Sequence, residues 1–339
     1  MDKKQKKPSM QSIANKLNIS KNAVSLALNN KDGVSEETRL KVIEEAKRVG
    51  YITNNENSNI IVFIPEYIQN DVYFYNDIYW SIDFYATKNN YNAVMATITK
   101  DMEDKNSLPN IYSEMEFIGA LIIGVLSNQY VEYIKTLNIP LLSVDNIYYG
   151  LNIESITSAN TEGSYYITQR IIKKGHRKIG FIGSYKMTSS LYERWCGFQK
   201  ALYDYHLELN QNFIITDNSP LNSLLADYEE VLNKLKKFKE FPTAFVCAGD
   251  RIALATIKAL RELGYEIPDQ ISVVGFDDIE LSQYIHPSLT TMHIDRKQMG
   301  KLAIENLIKL INKQSITTQV KLSTKYIERD SLIMAKKHN

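Results

Sequence analysis

Residues 9–51 read SMQSIANKLNISKNAVSLALNNKDGVSEETRLKVIEEAKRVGY, and this stretch decides how the chain begins. Ser9 and Ser20 each precede a short helix-forming run, Met10 to Leu17 and Lys21 to Asn29, with a tight turn at Asn18 and Ile19. Serine suits the position before a helix because its hydroxyl accepts from a first-turn N–H that otherwise has no partner. Two short helices joined by a tight turn form a helix-turn-helix, whose second helix enters the major groove of DNA. In the second helix Val24 and Leu28 lie four apart and turn inward. Lys21, Asn22, Ser25 and Leu26 are left on the opposite face, with Asn29 at the end. Ser35 caps a third helix with Glu36 and Glu37 in its first turn. Leu40, Ile43 and Ala46 supply its apolar face, Lys47 and Arg48 its last turn, and Gly50 its stop. The candidate DNA contacts are therefore Ser9, Ser20, Lys21, Asn22, Ser25, Leu26, Asn29 and Ser35. A generic three-helix bundle would share this spacing, so the particular residues have to decide.

Charge points the same way, though modestly. Up to residue 59 the chain holds eleven Lys and Arg against seven Asp and Glu, a net +4. The whole chain is +1, which leaves −3 for the remainder. A positive head on a near-neutral body suits phosphate contacts that set register without reading bases. A solvated N-terminal lysine run would look similar.

A chain of 339 residues with 44% hydrophobic residues implies two or three domains with a substantial core. No apolar run reaches the roughly 18 residues of a membrane span. The N-terminal lysines precede no apolar segment, so a secretory signal is not expected. Cys196 and Cys247 stand far apart in unlike contexts, which predicts neither a disulfide framework nor a zinc site and fits a reducing cytoplasm. The five histidines are scattered, and no metal or cofactor is expected.

From Asn59 onward short apolar strands alternate with helical stretches. Asn59 to Pro65, Asn92 to Ile98, Gly119 to Gly124 and Ile139 to Val144 read as buried parallel strands. The alternation restarts at Lys178 to Gly183 and continues at Thr243 to Ala248, Ile271 to Phe276 and Thr290 to Ile294. Parallel sheets covered by helices follow, in two lobes, with a cleft where the strands' carboxyl ends face each other. Asp277 ends one such strand, where a carboxylate can accept two sugar hydroxyls. Asp250 follows another, and either touches a ligand or caps the helix after it. The aromatics Phe74 and Tyr75 follow the first strand, and Trp195 lies farther on; each can stack on a ligand or fill core.

IANKLNISKNAVSLALN followed by VSEETRLKVIEEAKRVGY closely resembles the head of the lactose-repressor (LacI) family. Four core phrases resemble that family in the same order: GHRKIGFIG from Gly175, RWCGF from Arg194, IPDQISVVGFDD from Ile267 and PSLTT from Pro287. The resemblance covers nearly the whole chain. It implies a helix-turn-helix head over residues 1–54, a short linker over 55–59, and a two-lobed periplasmic-binding-protein-like (type I) α/β core over 60–335. Lobe 1 would take about 60–157 and 292–322, and lobe 2 about 158–291 and 323–335. It also implies that Arg194 reaches into the cleft, where a planar guanidinium can span two hydroxyls or a carboxylate.

Three departures from the family stand out. Leu26 replaces an arginine that can read guanine, and leucine can only touch a thymine methyl. Ala159 stands where an Asp precedes Asn160, which predicts the loss of a cleft carboxylate. The linker lacks the family's Ala-Arg-x-Leu hinge helix, so it is expected to stay extended or disordered rather than helical and to leave the operator with little central kinking.

The expected function is an effector-responsive transcription regulator, a repressor, acting in the cytoplasm. It would bind near-palindromic double-stranded operator DNA as a homodimer and a sugar or sugar derivative in the cleft. A cytoplasmic solute-binding receptor is the alternative. An enzyme is not expected, because no Ser-His-Asp phrase, metal cluster or phosphate loop is present.

Overall fold

The computed structural model describes residues 9–28, 31–49, 51, 58–69, 71, 73–216 and 228–336. Asn29, Gly50, the Lys47 side chain and linker residues 55–57 lie outside them. Contacts divide the chain into two units between Ser58 and Asn59.

The first unit is a three-helix head: α1 (Met10–Leu17), α2 (Lys21–Leu28) and α3 (Glu36–Arg48). Each helix starts on the serine expected of it. Ser9 and Ser12 form a reciprocal capping box, Ser20 Oγ accepts from Ala23 N at 3.0 Å, and Ser35 Oγ accepts from Thr38 N at 3.2 Å. Ile13, Ala14, Val24, Ala27, Val42 and Ala46 form the buried core. The apolar face expected for α3 is corrected here: Leu40 is 63% exposed, while Val42 and Ala46 are buried. Successive helical residues turn by about 100°, so Leu40 points roughly 200° away from Val42. The smaller pair, four residues apart, takes the seam.

The second unit holds two parallel sheets. The first has six strands: β1 (Asn59–Pro65), β2 (Asn92–Ile98), β3 (Phe117–Ile123), β4 (Leu141–Val144), β5 (Glu154–Ser158) and β11 (Gln319–Leu322), in the order β11-β5-β4-β3-β1-β2. The second has four: β6 (Ile179–Ile182), β7 (Ile214–Ile215), β8 (Ala244–Cys247) and β9 (Ser272–Val274), in the order β7-β6-β8-β9. All pairings within the two sheets are parallel. Every residue of β1 is buried, which is why its sequence runs apolar without alternation. The chain passes between the lobes at three places: after β5, around β10 (Thr291–His293), and between β11 and β12 (Lys325–Ile327). β10 and β12 pair antiparallel, joining two of these crossings.

Four helices position the cleft. α4 (Tyr75–Lys88) and α12 (Arg296–Ile311) pack together in the first lobe, and α8 (Asn160–Lys173) and α9 (Ser189–Asp204) in the second. Gly197 sets the second contact, because a Cβ there would lie 2.2 Å from the Thr161 carbonyl oxygen. The close approach of α8 and α9 brings Arg194 against Asn160.

Candidate functional site

In the head, Lys21 and Asn22 are exposed at the start of α2. Ser9, Ser20 and Ser35 are exposed as well, though their hydroxyls are engaged as caps. Ser25 and Leu26 are half-buried. Leu26 packs beneath Gly33, which sits at φ 113°, and its Cδ1 lies 3.1 Å from the place a Cβ on that glycine would take. Sequence reasoning missed the residue that fixes the helix. Arg39, 9% exposed, donates to the carbonyls of Leu26, Ala27 and Lys31 at 3.4, 3.2 and 2.9 Å. These carbonyls belong to the last turn of α2 and the loop after it, where helix acceptors lack intrahelical partners. A guanidinium there also complements the helix dipole.

In the core, a cavity of about 540 Å³, counted with its open mouth, lies at the carboxyl ends of both sheets. Phe74, Tyr75, Arg194 and Asp277 line it, as read from the sequence. Asp71, Asp145, Thr188, Ser190 and Arg251 line it too, and the sequence reading passed over them. Asp145 directly follows β4, so the strand-end rule that found Asp277 would have found it.

Arg194 is 4% exposed and held from several sides. Its Nη1 lies 2.9 Å from Asp277 Oδ1 and donates to the Ala248 carbonyl at 2.6 Å, while its Nε donates to Asn160 Oδ1 at 2.9 Å. The guanidinium also stacks 4.0 Å from the centre of the Phe276 ring. Gly249 makes room for this pair: a Cβ there would sit 3.0 Å from Asp277 Oδ2. Both strand-end carboxylates stand on left-handed backbone, Asp145 at φ 66° and Asp277 at φ 113°. Such conformations cost of order 1 kcal/mol or more and persist where surrounding structure enforces them. Burial raises the Asp277 carboxyl above its ordinary range, and Arg194 and Arg296 pull it back. Asp145 accepts from Tyr75 OH and Ser190 Oγ, each at 3.1 Å. Burial lifts it to about 6, against the pull of Arg194.

Contacts tie the lobes across the cleft. Ser190 Oγ meets Asp145, Ser189 N donates to Asn146 Oδ1 at 3.0 Å, and Arg251 Nη1 meets Asp71 Oδ2 at 3.2 Å. Arg296, at the start of α12, donates to the Asp277 carbonyl at 2.6 Å.

Other sequence candidates lie elsewhere. Trp195 is not among the residues lining the cavity; it stacks on Tyr185 at 5.9 Å and packs on Phe181 and Phe198. Asp250, fully buried, faces neither the cavity nor a helix cap. It accepts from Ser282, Thr291 and Ile279 N and braces the loop behind Asp277. Burial, then the Asp277 charge, lifts its carboxyl to about 7. Asp278, beside Asp277, pairs with Arg329 and His293. Ala159 occupies the N-cap of α8 and faces a separate cavity beside Lys321 and Tyr326, so its missing carboxylate is a lost helix cap and not a lost cleft group.

Among the described residues, no cluster of His, Cys, Asp and Glu could hold a metal ion, and no helix is long and apolar enough to cross a membrane.

Comparison with known proteins gives a consistent result. Residues 9–54 match the bacterial regulatory proteins of the lacI family, and residues 168–332 match a periplasmic binding protein-like domain. The HTH-type transcriptional regulator RegA of Clostridium saccharobutylicum is 29% identical over 336 residues, 96% of this chain and 99% of that protein. The ribose operon repressor of Haemophilus influenzae is 27% identical, covering 89% of this chain and 91% of its own. Both relatives are regulators and not enzymes. A lac repressor dimer bound to operator and the anti-inducer ONPF superposes with a TM-score of 0.71 at 22% identity, over 97% of this chain and 100% of that one. The regulator CelR in complex with cellobiose also gives 0.71, at 22% identity, over 96% and 99%. These two show the shared fold.

Proposed function

Because the chain belongs to the lacI family of bacterial regulatory proteins, we propose that it is a repressor that binds near-palindromic operator DNA as a homodimer and releases or grips it in response to a small polyhydroxylated ligand, a sugar or sugar derivative. The observation that carries this reading is α2. Its first residues, Lys21 and Asn22, are exposed while Val24 and Ala27 are buried, and Arg39 locks its far end. Asn can bond adenine in a bidentate way and Lys can reach guanine acceptors. Two such heads would read two half-sites. Ser9, Ser20, Ser25, Leu26, Asn29 and Ser35 would contact the backbone or the flanking groove.

The cavity supplies the second half of the reading. Arg194 and Asp277 offer a fixed donor and acceptor, and Phe74 and Tyr75 an apolar wall. The lobes, joined by three crossings, can close on a ligand or part. A ligand shifts that balance only by its difference in affinity for the two arrangements. The homodimer has its own support: Trp80 and Phe84, four apart on α4, are 59% and 60% exposed. Large apolar side chains in such pairs mark surfaces that a partner covers.

Selection of the full chain against a random duplex pool tests the proposal. Enrichment of a two-fold symmetric sequence supports it. A chain that binds small ligands but enriches no duplex would instead be a solute receptor.

A further inference from the structure

The cavity carries three carboxylates and two guanidinium groups, and their pairing is uneven. Asp277 faces Arg194 at 2.9 Å and Asp71 faces Arg251 at 3.2 Å. Asp145 is the third carboxylate. It is 4% exposed, and among the described residues it forms no ion pair, only hydrogen bonds from the Tyr75 and Ser190 hydroxyls. The lining therefore holds one buried negative charge without a cation. A buried ion lacking a counter-charge is costly, and the cost is relieved when a partner of opposite sign arrives.

The cations are meanwhile committed. Arg194 is engaged by Asp277, Asn160 and the Ala248 carbonyl. Arg251 is engaged by Asp71 and lies 5.7 Å from the Tyr73 ring centre. A phosphate or carboxylate entering here would meet guanidinium groups already paired with carboxylates and would sit beside Asp145. A ligand bearing a protonated amine would meet a desolvated carboxylate preset by two hydroxyls, and charge-assisted hydrogen bonds of this kind are the stronger ones.

We propose that the ligand is a small polyol bearing one protonated amine, an amino sugar in chemical class, with the ammonium placed at Asp145 and its hydroxyls toward Arg194 and Asp277. This rests on the reading of the cavity as the effector site. It adds a charge requirement that a neutral or phosphorylated sugar does not meet. The rise of the Asp145 carboxyl to about 6 agrees with it, since an empty cavity favours the protonated form.

The test uses the full chain near neutral pH. Glucosamine, galactosamine and mannosamine are each compared with the parent hexose and the hexose 6-phosphate, by thermal shift and then calorimetry. At least one amine should bind about tenfold or more tightly than its parent, the 6-phosphates should not bind, and Asp145→Asn should lower the amine's affinity by about tenfold. If the parents bind as well as every amine, or bind while no amine does, the charge requirement is wrong and the effector-site reading stands. If no sugar of any kind raises the melting temperature, both readings fall. The comparison within the unaltered chain decides the matter even where Asp145→Asn fails to fold.

Discussion

Arg39 in the head and Arg194 in the core are both more than nine-tenths buried, yet they serve opposite surfaces. Arg39 spends its Nη donors on three main-chain carbonyls around the end of α2 and its Nε on Glu36. The side chain fixes a helix whose first residues, Lys21 and Asn22, point outward to solvent. Arg194 donates to Asn160 and the Ala248 carbonyl, pairs with Asp277 at 2.9 Å, and lines a cavity. The head exposes its polar residues because base edges lie on a duplex it must approach from outside. The core buries its polar residues around a cavity, and a small ligand has little surface and has to be enclosed to be held. The same side chain is a cap in one unit and part of a cavity wall in the other.

The largest expected effect comes from Arg194→Ala. Removing one partner of a buried ion pair strands Asp277, which should cost the core about 3–5 kcal/mol. Urea unfolding of the core transition measures this, and a loss below about 1 kcal/mol would mean that Asp277 finds water or Arg296 instead. Ligand affinity should fall as well, by about 2 kcal/mol or more.

Next comes Asp145→Asn. Burial lifts this carboxyl from 3.8 to about 6, so between those values the folded chain keeps a proton that the unfolded chain has released. Its contribution to stability is full below about pH 4 and is lost as pH rises through 6. The Asn variant lacks that slope and should gain on the ligand-free parent by up to about 3 kcal/mol between pH 4 and 7.5. A constant offset between the two across that range contradicts the assignment.

Arg39→Met should cost the head about 2 kcal/mol, since three carbonyls lose a charged donor. It should weaken binding to every duplex alike, because it moves the whole helix. Asn22→Ala is the smallest and most selective change, about 1–2 kcal/mol at one base position with preference there relaxed. Sequence selection on both variants separates them: a motif changed by Arg39→Met and unchanged by Asn22→Ala would reverse the roles.

Much of the fold was legible in the chain because the signals were local. Ser9, Ser20 and Ser35 announced three helices, and the uniformly apolar β1 announced a buried parallel strand. β5 and β11 were not legible. β5 buries Ser155, Thr157 and Ser158, and β11 is a half-exposed edge strand, so neither shows an apolar run. Leu40 misled for a related reason: its side chain is apolar, but the seam had room for Val42 and Ala46.

The sequence by itself determined that a helix-turn-helix precedes a two-lobed α/β core, and it marked Arg194 and Asp277 by their places in phrases and at strand ends. The head, the strands and Asp277 follow from periodicity, caps and strand-end position, readable over a few neighbouring residues, whereas Arg194 follows from the resemblance of its phrase to the family's. Only the tertiary structure decided which groups share the cavity, that Asp145 lacks a cation among the described residues, that Trp195 and Asp250 stand outside the lining, and that Arg39 locks α2. Such meetings join groups far apart in the chain, 13 positions for Arg39 with the Leu26 carbonyl, 83 for Arg194 with Asp277 and 180 for Arg251 with Asp71. Their meeting is set by how helices and sheets pack, and no local pattern encodes it.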